Sequence, residues 1–99
     1  MLHIVNKSPY EKNALDSCLR VAQSGSTVIL IEDGVYAAAR GGSAAEKLQK
    51  VATKLKLYAL GPDVEARGMK ERVIDGVILV DYAGFVDLVT SHSTNQSWL

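Results

Sequence analysis

Short apolar runs alternate with amphipathic stretches along the chain, and this alternation limits the possible folds more than any other feature. Runs such as Thr27 to Ile31 and Val77 to Val80 are rich in Val, Ile and Leu, as expected for parallel strands that are covered on both faces. The amphipathic stretches between them predict helices, so the chain reads as successive βα units. Such units build a parallel sheet through right-handed crossovers. We therefore predict an α/β fold, a flavodoxin-like three-layer α/β/α sandwich with a mainly parallel sheet.

The 99 residues fit one domain, which we expect to span residues 1–99. Val73-Ile74 predicts a short strand without an evident neighbour. The polar stretch Ser91 to Ser97 precedes the apolar pair Trp98-Leu99, which could pack on a partner or on its own domain. The predicted strands are Leu2 to Val5, Thr27 to Ile31, Lys56 to Leu60 and Val77 to Val80.

Helix starts are predicted by capping patterns. Ser8-Pro9-Tyr10-Glu11 and Ser43-Ala44-Ala45-Glu46 both place a serine three residues before a glutamate, the arrangement of a capping box. We expect the first helix to run to Ser24 and to end at Gly25. On the second helix we expect an apolar stripe of Ala44, Leu48, Val51, Ala52 and Leu55. A short helix should run from Pro62 to Arg67 and end at Gly68. A last helix should run from Tyr82 to Ser91, with Asp81 as its cap.

Composition argues against several classes of function. With 11 basic and 11 acidic residues the net charge is zero, so we expect neither direct nucleic-acid binding nor binding to an anionic membrane. No apolar run is long enough to span a bilayer and no signal-peptide pattern opens the chain, which favours a cytoplasmic protein. One cysteine and two histidines predict no disulfide and no metal site. We expect no cofactor, because the turn after the first strand lacks the glycines of a nucleotide site.

Polar residues follow the predicted strands, at the edge of a parallel sheet where ligands commonly bind. Asn6, Asp33, Asp63 and Asp81 could form a small-molecule site there, which is one hypothesis. Asp33 and Asp81 could instead be a catalytic acid pair. Both precede predicted helices, however, and an aspartate in that position more often caps the helix.

Cys18 is the only thiol and therefore the one candidate for nucleophilic chemistry. A reactive thiolate needs a lowered pKa, which a helix amino terminus or a nearby cation provides. Cys18 lies well inside its predicted helix and shares an apolar stripe with Leu15 and Leu19, while Arg20 faces elsewhere. Burial favours the neutral thiol. We therefore interpret Cys18 as a small core side chain, and catalysis by Cys18 is the less favoured alternative.

Other polar residues have simple structural interpretations. His3 lies in an apolar strand, where a hydrogen-bonded structural imidazole is more common than a catalytic base, and His92 lies in a polar segment exposed to solvent. Lys47, Lys50 and Lys54 share a helix face that could bind an acidic partner or an RNA backbone. A solvated face is the more common reason for such a pattern.

Four segments in order give the chain its family resemblance. They are Met1 to Pro9 (MLHIVNKSP), Glu32 to Ala38 (EDGVYAA), Leu60-Gly61-Pro62-Asp63 with Ala66-Arg67-Gly68, and Val80 to Leu88 (VDYAGFVDL). With this order and spacing, the chain resembles the TusB/DsrH family over nearly its whole length, down to Trp98.

The resemblance implies a cytosolic sulfur-relay complex that passes persulfide sulfur between protein cysteines. Its partners would be sister subunits of the same fold, TusC/TusD-like or DsrE/DsrF-like, in a heterohexamer, with a sulfur acceptor of the TusE/DsrC type. The relay would serve either 2-thiouridine formation at the tRNA wobble position (TusBCD-like) or sulfur oxidation (DsrEFH-like).

The resemblance also bears on catalysis. In the catalytic sister subunit, the sulfur-carrying cysteine lies where the third strand runs into its helix, and here that stretch is Leu60-Gly61-Pro62-Asp63, without cysteine. The expectation is a non-catalytic structural subunit that holds no catalytic residue and no cofactor. The alternative is a sulfurtransferase that uses Cys18 as its persulfide carrier.

Overall fold

The computed structural model describes residues 1–98, which form five strands, four α-helices and one 3-10 helix. The strands are β1 (Leu2–Val5), β2 (Thr27–Leu30), β3 (Lys56–Leu60), β4 (Val77–Val80) and β5 (Asn95–Trp98). The α-helices are α1 (Ala14–Val21), α2 (Ser43–Val51), α3 (Gly61–Ala66) and α4 (Tyr82–Ser91), and the 3-10 helix is Glu32–Ala38.

All five strands form one parallel sheet in the order β4-β3-β2-β1-β5. From β1 to β4 the chain always adds the next strand on the same side, and it then returns across the sheet to place β5 beside β1. Right-handed crossovers put α1, α2 and α3 on one face and α4 on the other. The predicted α/β sandwich with a parallel sheet is confirmed.

The main core fills the space between one sheet face and helices α1, α2 and α3. Val5, Leu30 and Ala59 are neighbours across that face and all are buried. From the second helix, Ala44 and Leu48 of the predicted stripe join the same cluster, and Val51 is half-buried at its margin. The helix ends at Val51, so Ala52 and the buried Leu55 of the stripe lie beyond it. The 3.6-residue period of this stripe therefore predicted the buried face correctly.

The opposite face is covered less completely. Leu2 and Ile29 are fully buried on it, whereas Ile78, in register with Ile29 through β3, is 58% exposed. Helix α4 has no fully buried residue. This face is therefore only partly closed in the single chain.

The first helix differs from its prediction at both ends. It begins at Ala14 and ends at Val21, so neither Ser8 nor Ser24 bounds it. The Ser8 hydroxyl accepts a hydrogen bond from the Tyr10 amide at 3.2 Å, and the Ser8 carbonyl accepts those of Glu11 and Lys12. Because serine side chains can close local turns, this hydrogen bond competes with a capping box and forms a turn instead.

Ser43 lies within α2 and does not cap it. Gly42 is the N-cap residue of α2 and has no side chain to cap the helix, so the predicted second capping box is wrong. In contrast, Asp81 caps α4 as predicted and accepts a hydrogen bond from the Gly84 amide at 2.8 Å. An extended backbone before the helix places the aspartate carboxylate over the free amides.

Two segments left open by the sequence take defined positions. Val73 pairs with Ala39 in an isolated antiparallel bridge, and the Ile74 amide donates to the Ala38 carbonyl at 3.0 Å. The polar tail from Asn95 forms β5 along β1, although its residues lack the alternation typical of a strand. The Trp98 indole donates to His3 Nδ1 at 3.1 Å, so Trp98 packs on its own chain.

We predict that Asp81→Ala destabilises the protein by about 1 kcal/mol, the usual cost of losing an N-cap carboxylate. The free energy of unfolding would be measured by urea denaturation. Asp87→Ala is the matched control, since Asp87 lies on the same helix and its side chain caps nothing in the described chain. Equal losses from both substitutions would contradict the capping role.

We predict that acidification loosens the β5 end of the sheet. Burial, with a smaller contribution from the N-terminal charge, lowers the pKa of His3 below its ordinary value of 6.5. The folded state therefore favours neutral His3, and stability is lost as pH falls below 6.5 because the unfolded chain binds the proton more readily. Protonation would also replace the acceptor that Trp98 needs.

The emission of Trp98, the only tryptophan, would report this change during an acid titration. The transition should persist in His92→Gln and disappear in His3→Gln. An emission spectrum that stays constant through the titration of His3 would contradict the prediction.

Candidate functional site

Cys18 belongs to α1, and its side chain is buried in the main core. Its side chain is 0% exposed, and neighbouring Leu15 is 1% exposed. Burial raises the pKa of the Cys18 thiol to about 12, so the thiolate needed for sulfur chemistry is scarce at neutral pH. The predicted burial of Cys18 is confirmed.

The carboxyl edge of the sheet carries a network of charged residues. Arg67 donates from Nε at 3.0 Å and from Nη2 at 2.8 Å to Oδ1 of Asp33, and from Nη1 at 3.2 Å to the Asp63 carbonyl. The hydrogen bond to Asp33 raises the pKa of Arg67 above its usual value. The Arg67 guanidinium also lies over the Tyr36 ring, 5.9 Å from its centroid. These contacts join the 3-10 helix to the end of α3.

The same network supports a strained backbone position. Glu32 has a φ of 50°, which places a non-glycine residue in the left-handed region. Its amide donates to the Asp63 carboxylate at 2.6 Å. A charge-assisted hydrogen bond of this kind offsets part of the cost of the strained conformation.

The hypothesis of a small-molecule site on Asn6, Asp33, Asp63 and Asp81 gains little from this geometry. Asp33 does not cap a helix as predicted, because the 3-10 helix has Ile31 as its N-cap residue and Asp33 pairs with Arg67. Asp63 holds the Glu32 amide and Asp81 caps α4. The three carboxylates are therefore engaged in separate structural contacts and do not converge as a catalytic pair.

The start of α3 contains Leu60-Gly61-Pro62-Asp63, the stretch where the family resemblance implies a sulfur-carrying cysteine in the sister subunit. Leu60 is buried at the end of β3, and the helix begins with Gly61 and Pro62. A cavity of about 310 Å³ lies beside it, between α3 and the end of β4, and its lining contains no thiol, imidazole or hydroxyl side chain. Within residues 1–98, no thiol is therefore available at this position to carry sulfur.

The remaining candidate residues of the sequence have local roles. His3 is buried and accepts the Trp98 hydrogen bond, as expected of a structural imidazole. His92 is half-buried and its Nδ1 lies 2.7 Å from the Leu88 carbonyl, so it is less solvated than predicted. On the predicted lysine face, Lys47 pairs with Asp16 at 2.7 Å, while Lys50 and Lys54 are exposed.

An apolar surface on β4 and α4 is the main feature that sequence patterns did not reveal. It consists of Ile78 (58% exposed), Tyr82 (61%) and Val86 (57%), and we call it the α4 surface. Asp87 is the only charged residue within α4. Clustered apolar side chains with few charges are typical of protein-protein interfaces. The apolar periodicity of β4 and α4 predicted their secondary structure, but not that this side lacks a covering layer.

Residues 1–98 contain neither a metal-binding cluster nor a membrane-spanning helix. No three His, Cys, Asp or Glu side chains lie together in a way that could hold a metal ion. No helix of the described chain is long and apolar enough to cross a membrane.

We predict that native Cys18 resists alkylation. At about pH 8, close to the ordinary pKa of a thiol, iodoacetamide should modify wild-type protein only slowly, because the thiol is buried and neutral. Complete modification should follow unfolding in urea, with intact mass as the measurement. The control is Cys18→Ala combined with Ser24→Cys, which places a thiol at an exposed position and should react at once. Rapid native modification at Cys18 would contradict its burial.

Comparison of the folds places the chain among known structures. The ychN protein from E. coli superposes with a TM-score of 0.81 at 20% identity, covering 97% of each chain. A protein of unknown function, MTH1491 from Methanobacterium thermoautotrophicum, superposes with a TM-score of 0.75 at 17% identity, covering 97% of this chain and 95% of that one. At these identities the likeness concerns the fold alone.

Sequence comparison is more specific. The chain is 42% identical over 98 residues to Protein TusB of Pectobacterium parmentieri, covering 99% of this chain and 100% of the relative. It is 36% identical, with the same coverage, to Protein TusB of Escherichia coli O81 (strain ED1a). The family model described as DsrH like protein matches residues 7–95. The chain therefore belongs to the TusB/DsrH family.

Proposed function

We propose that this chain is a non-catalytic structural subunit of a cytoplasmic, hetero-oligomeric sulfur relay that serves 2-thiolation of the tRNA wobble uridine. The role in sulfur relay is supported by membership of the TusB/DsrH family. The choice of the tRNA branch over sulfur oxidation rests on full-length relatives named TusB. The non-catalytic role rests on the geometry of the chain itself.

The observation that carries the non-catalytic role is the absence of an accessible thiol in residues 1–98. Persulfide transfer requires a thiolate to attack the outer sulfur of a persulfide, so the carrier cysteine must meet a second protein. Cys18 is 0% exposed and its pKa is raised to about 12. The start of α3 offers Leu60, Gly61 and Pro62 in place of a thiol. Sulfur would therefore pass through a cysteine of a sister subunit.

The α4 surface supports an assembly role. Right-handed crossovers leave α4 as the only helix in the described chain for one face of the sheet, and β4 forms one edge of that sheet. Association with another subunit would remove Ile78, Tyr82 and Val86 from water, at a gain of about 25 cal/mol per Å² of apolar surface. We propose this surface as the contact with TusC/TusD-like sister subunits.

Coexpression with the sister subunits tests the proposal. Wild-type chain should copurify with them, whereas Ile78→Glu combined with Val86→Glu should stay folded and fail to assemble, because two carboxylates would be buried in an apolar contact. Assembly would be measured by size-exclusion chromatography and intact-complex mass spectrometry.

Val21→Glu is the matched control, since Val21 is 56% exposed, close to the 57% of Val86, but lies on α1. This variant should assemble normally. If wild-type chain remained a monomer beside the sister subunits, the proposed function would fail. If the Ile78→Glu, Val86→Glu double variant assembled as well as wild type, the α4 surface would not be the contact, although the structural role in the relay would not be contradicted.

A further inference from the structure

A cavity of about 490 Å³ lies among the loops that follow β1, β2 and α3. Its lining includes Arg40, Arg67 and Arg72 together with Tyr10 and Tyr36. The sequence contains only one arginine besides these three, so a chain of zero net charge concentrates most of its guanidinium groups in one place. No Asp or Glu side chain among residues 1–98 lines the cavity.

The chain backbone holds two of these arginines together. The Arg40 amide donates to the Arg72 carbonyl at 2.6 Å, and Ala39 pairs with Val73 in the isolated bridge. The Arg40 side chain also donates from Nη2 to the Val73 carbonyl at 3.2 Å. The bridge therefore joins two loops that are more than thirty residues apart and brings their cationic side chains to the same cavity.

The three arginines differ in how far their charges are already compensated. Arg67 pairs with Asp33 and lies over the Tyr36 ring, so its guanidinium is held in place and its charge is already compensated. Arg40 uses one donor on a neutral carbonyl. Arg72 is exposed, and its side chain makes no hydrogen bond or ion pair with residues 1–98. Two guanidinium charges in the cavity thus have no carboxylate partner in the described chain.

Neutral donors lie beside these charges. Helix α2 begins at the cavity, and its N-cap residue Gly42 has no capping side chain. The Ala44 amide in the first turn donates to the Tyr10 hydroxyl at 3.5 Å. A Cβ atom at Gly42 would collide with that hydroxyl, so the glycine lets the Tyr10 side chain reach its position. The Tyr10 hydroxyl keeps its own proton to donate, and this donor and the other amides of the helix start both suit an oxyanion.

We propose that this cavity, lined by Arg40, Arg67 and Arg72, binds a free tetrahedral oxyanion of the phosphate or sulfate class. The planar guanidinium fork matches two oxygens of such an ion, which is why arginine is preferred over lysine for this recognition. A free ion is favoured over RNA, because the chain as a whole has no net positive charge to attract a polyanion. The proposal does not depend on the proposed assembly role.

Calorimetric titration of the isolated full-length chain in an anion-free buffer tests this proposal. The probes are inorganic phosphate, thiosulfate and a short single-stranded RNA, each at matched ionic strength. We expect saturable one-to-one binding of phosphate or thiosulfate. Arg72→Gln should weaken it roughly ten-fold or more, the scale expected for a lost charge-assisted hydrogen bond.

Arg20→Gln is the matched control, since it removes the same charge from the one arginine outside the cavity, and it should bind like wild type. Gly42→Ala is a second variant, expected to weaken binding by displacing the Tyr10 hydroxyl without changing the charge. Chemical-shift mapping should place the ion at Arg40, Ala44 and Arg72.

Three outcomes would overturn the proposal. These are no binding of either free ion, equal weakening by the Arg72 and Arg20 substitutions, and binding of RNA alone. Because these experiments use the chain without its partners, their failure would be distinguishable from a failure of assembly.

Discussion

The handedness of the strand connections is the constraint on which the rest of the structure depends. Four strands are added in one direction and the fifth returns to the far side of β1. Right-handed crossovers therefore place three α-helices on one face and leave only α4, a helix of ten residues, for the other. The well-covered face holds the core with Cys18 inside it, and the thinly covered face presents the α4 surface. Burial of the thiol and exposure of the apolar surface follow from one topology.

The carboxyl edge of the sheet shows how the fold uses its charged residues. Asp33, Arg67 and Asp63 hold the 3-10 helix against α3 and support the strained Glu32 backbone. In a catalytic sister subunit the corresponding edge would carry a reactive thiol, as the family resemblance implies. Here Arg67 lies over the Tyr36 ring, and the nearby Arg40 and Arg72 side chains have no carboxylate partner within residues 1–98. The edge of this chain therefore presents guanidinium groups where the resemblance implies a thiol in the sister subunit.

Local patterns predicted most elements, and the exceptions depend on contacts between distant residues. Strands β1, β3 and β4 and helix α4 have the predicted bounds, because their apolar periods and the Asp81 cap are encoded in adjacent residues. Strand β5 was missed since Asn95 to Ser97 has no apolar alternation and is held by pairing with β1. The failed Ser8 cap reflects a competing turn. The arginine cluster could not be predicted, because the bridge between Ala39 and Val73 has no local signature.

In the proposed function, sulfur moves from donor to acceptor through the complex without being bound by Cys18, the only cysteine of this chain. The most direct measurement is the rate of persulfide transfer through the reconstituted complex, assembled with either wild-type chain or Cys18→Ala, to the acceptor protein. Radiolabelled sulfur on the acceptor would be the readout, and chromatography would confirm equal assembly. The account predicts the same rate for both complexes. Loss of transfer in an intact Cys18→Ala complex would contradict it and would make this chain a carrier of sulfur.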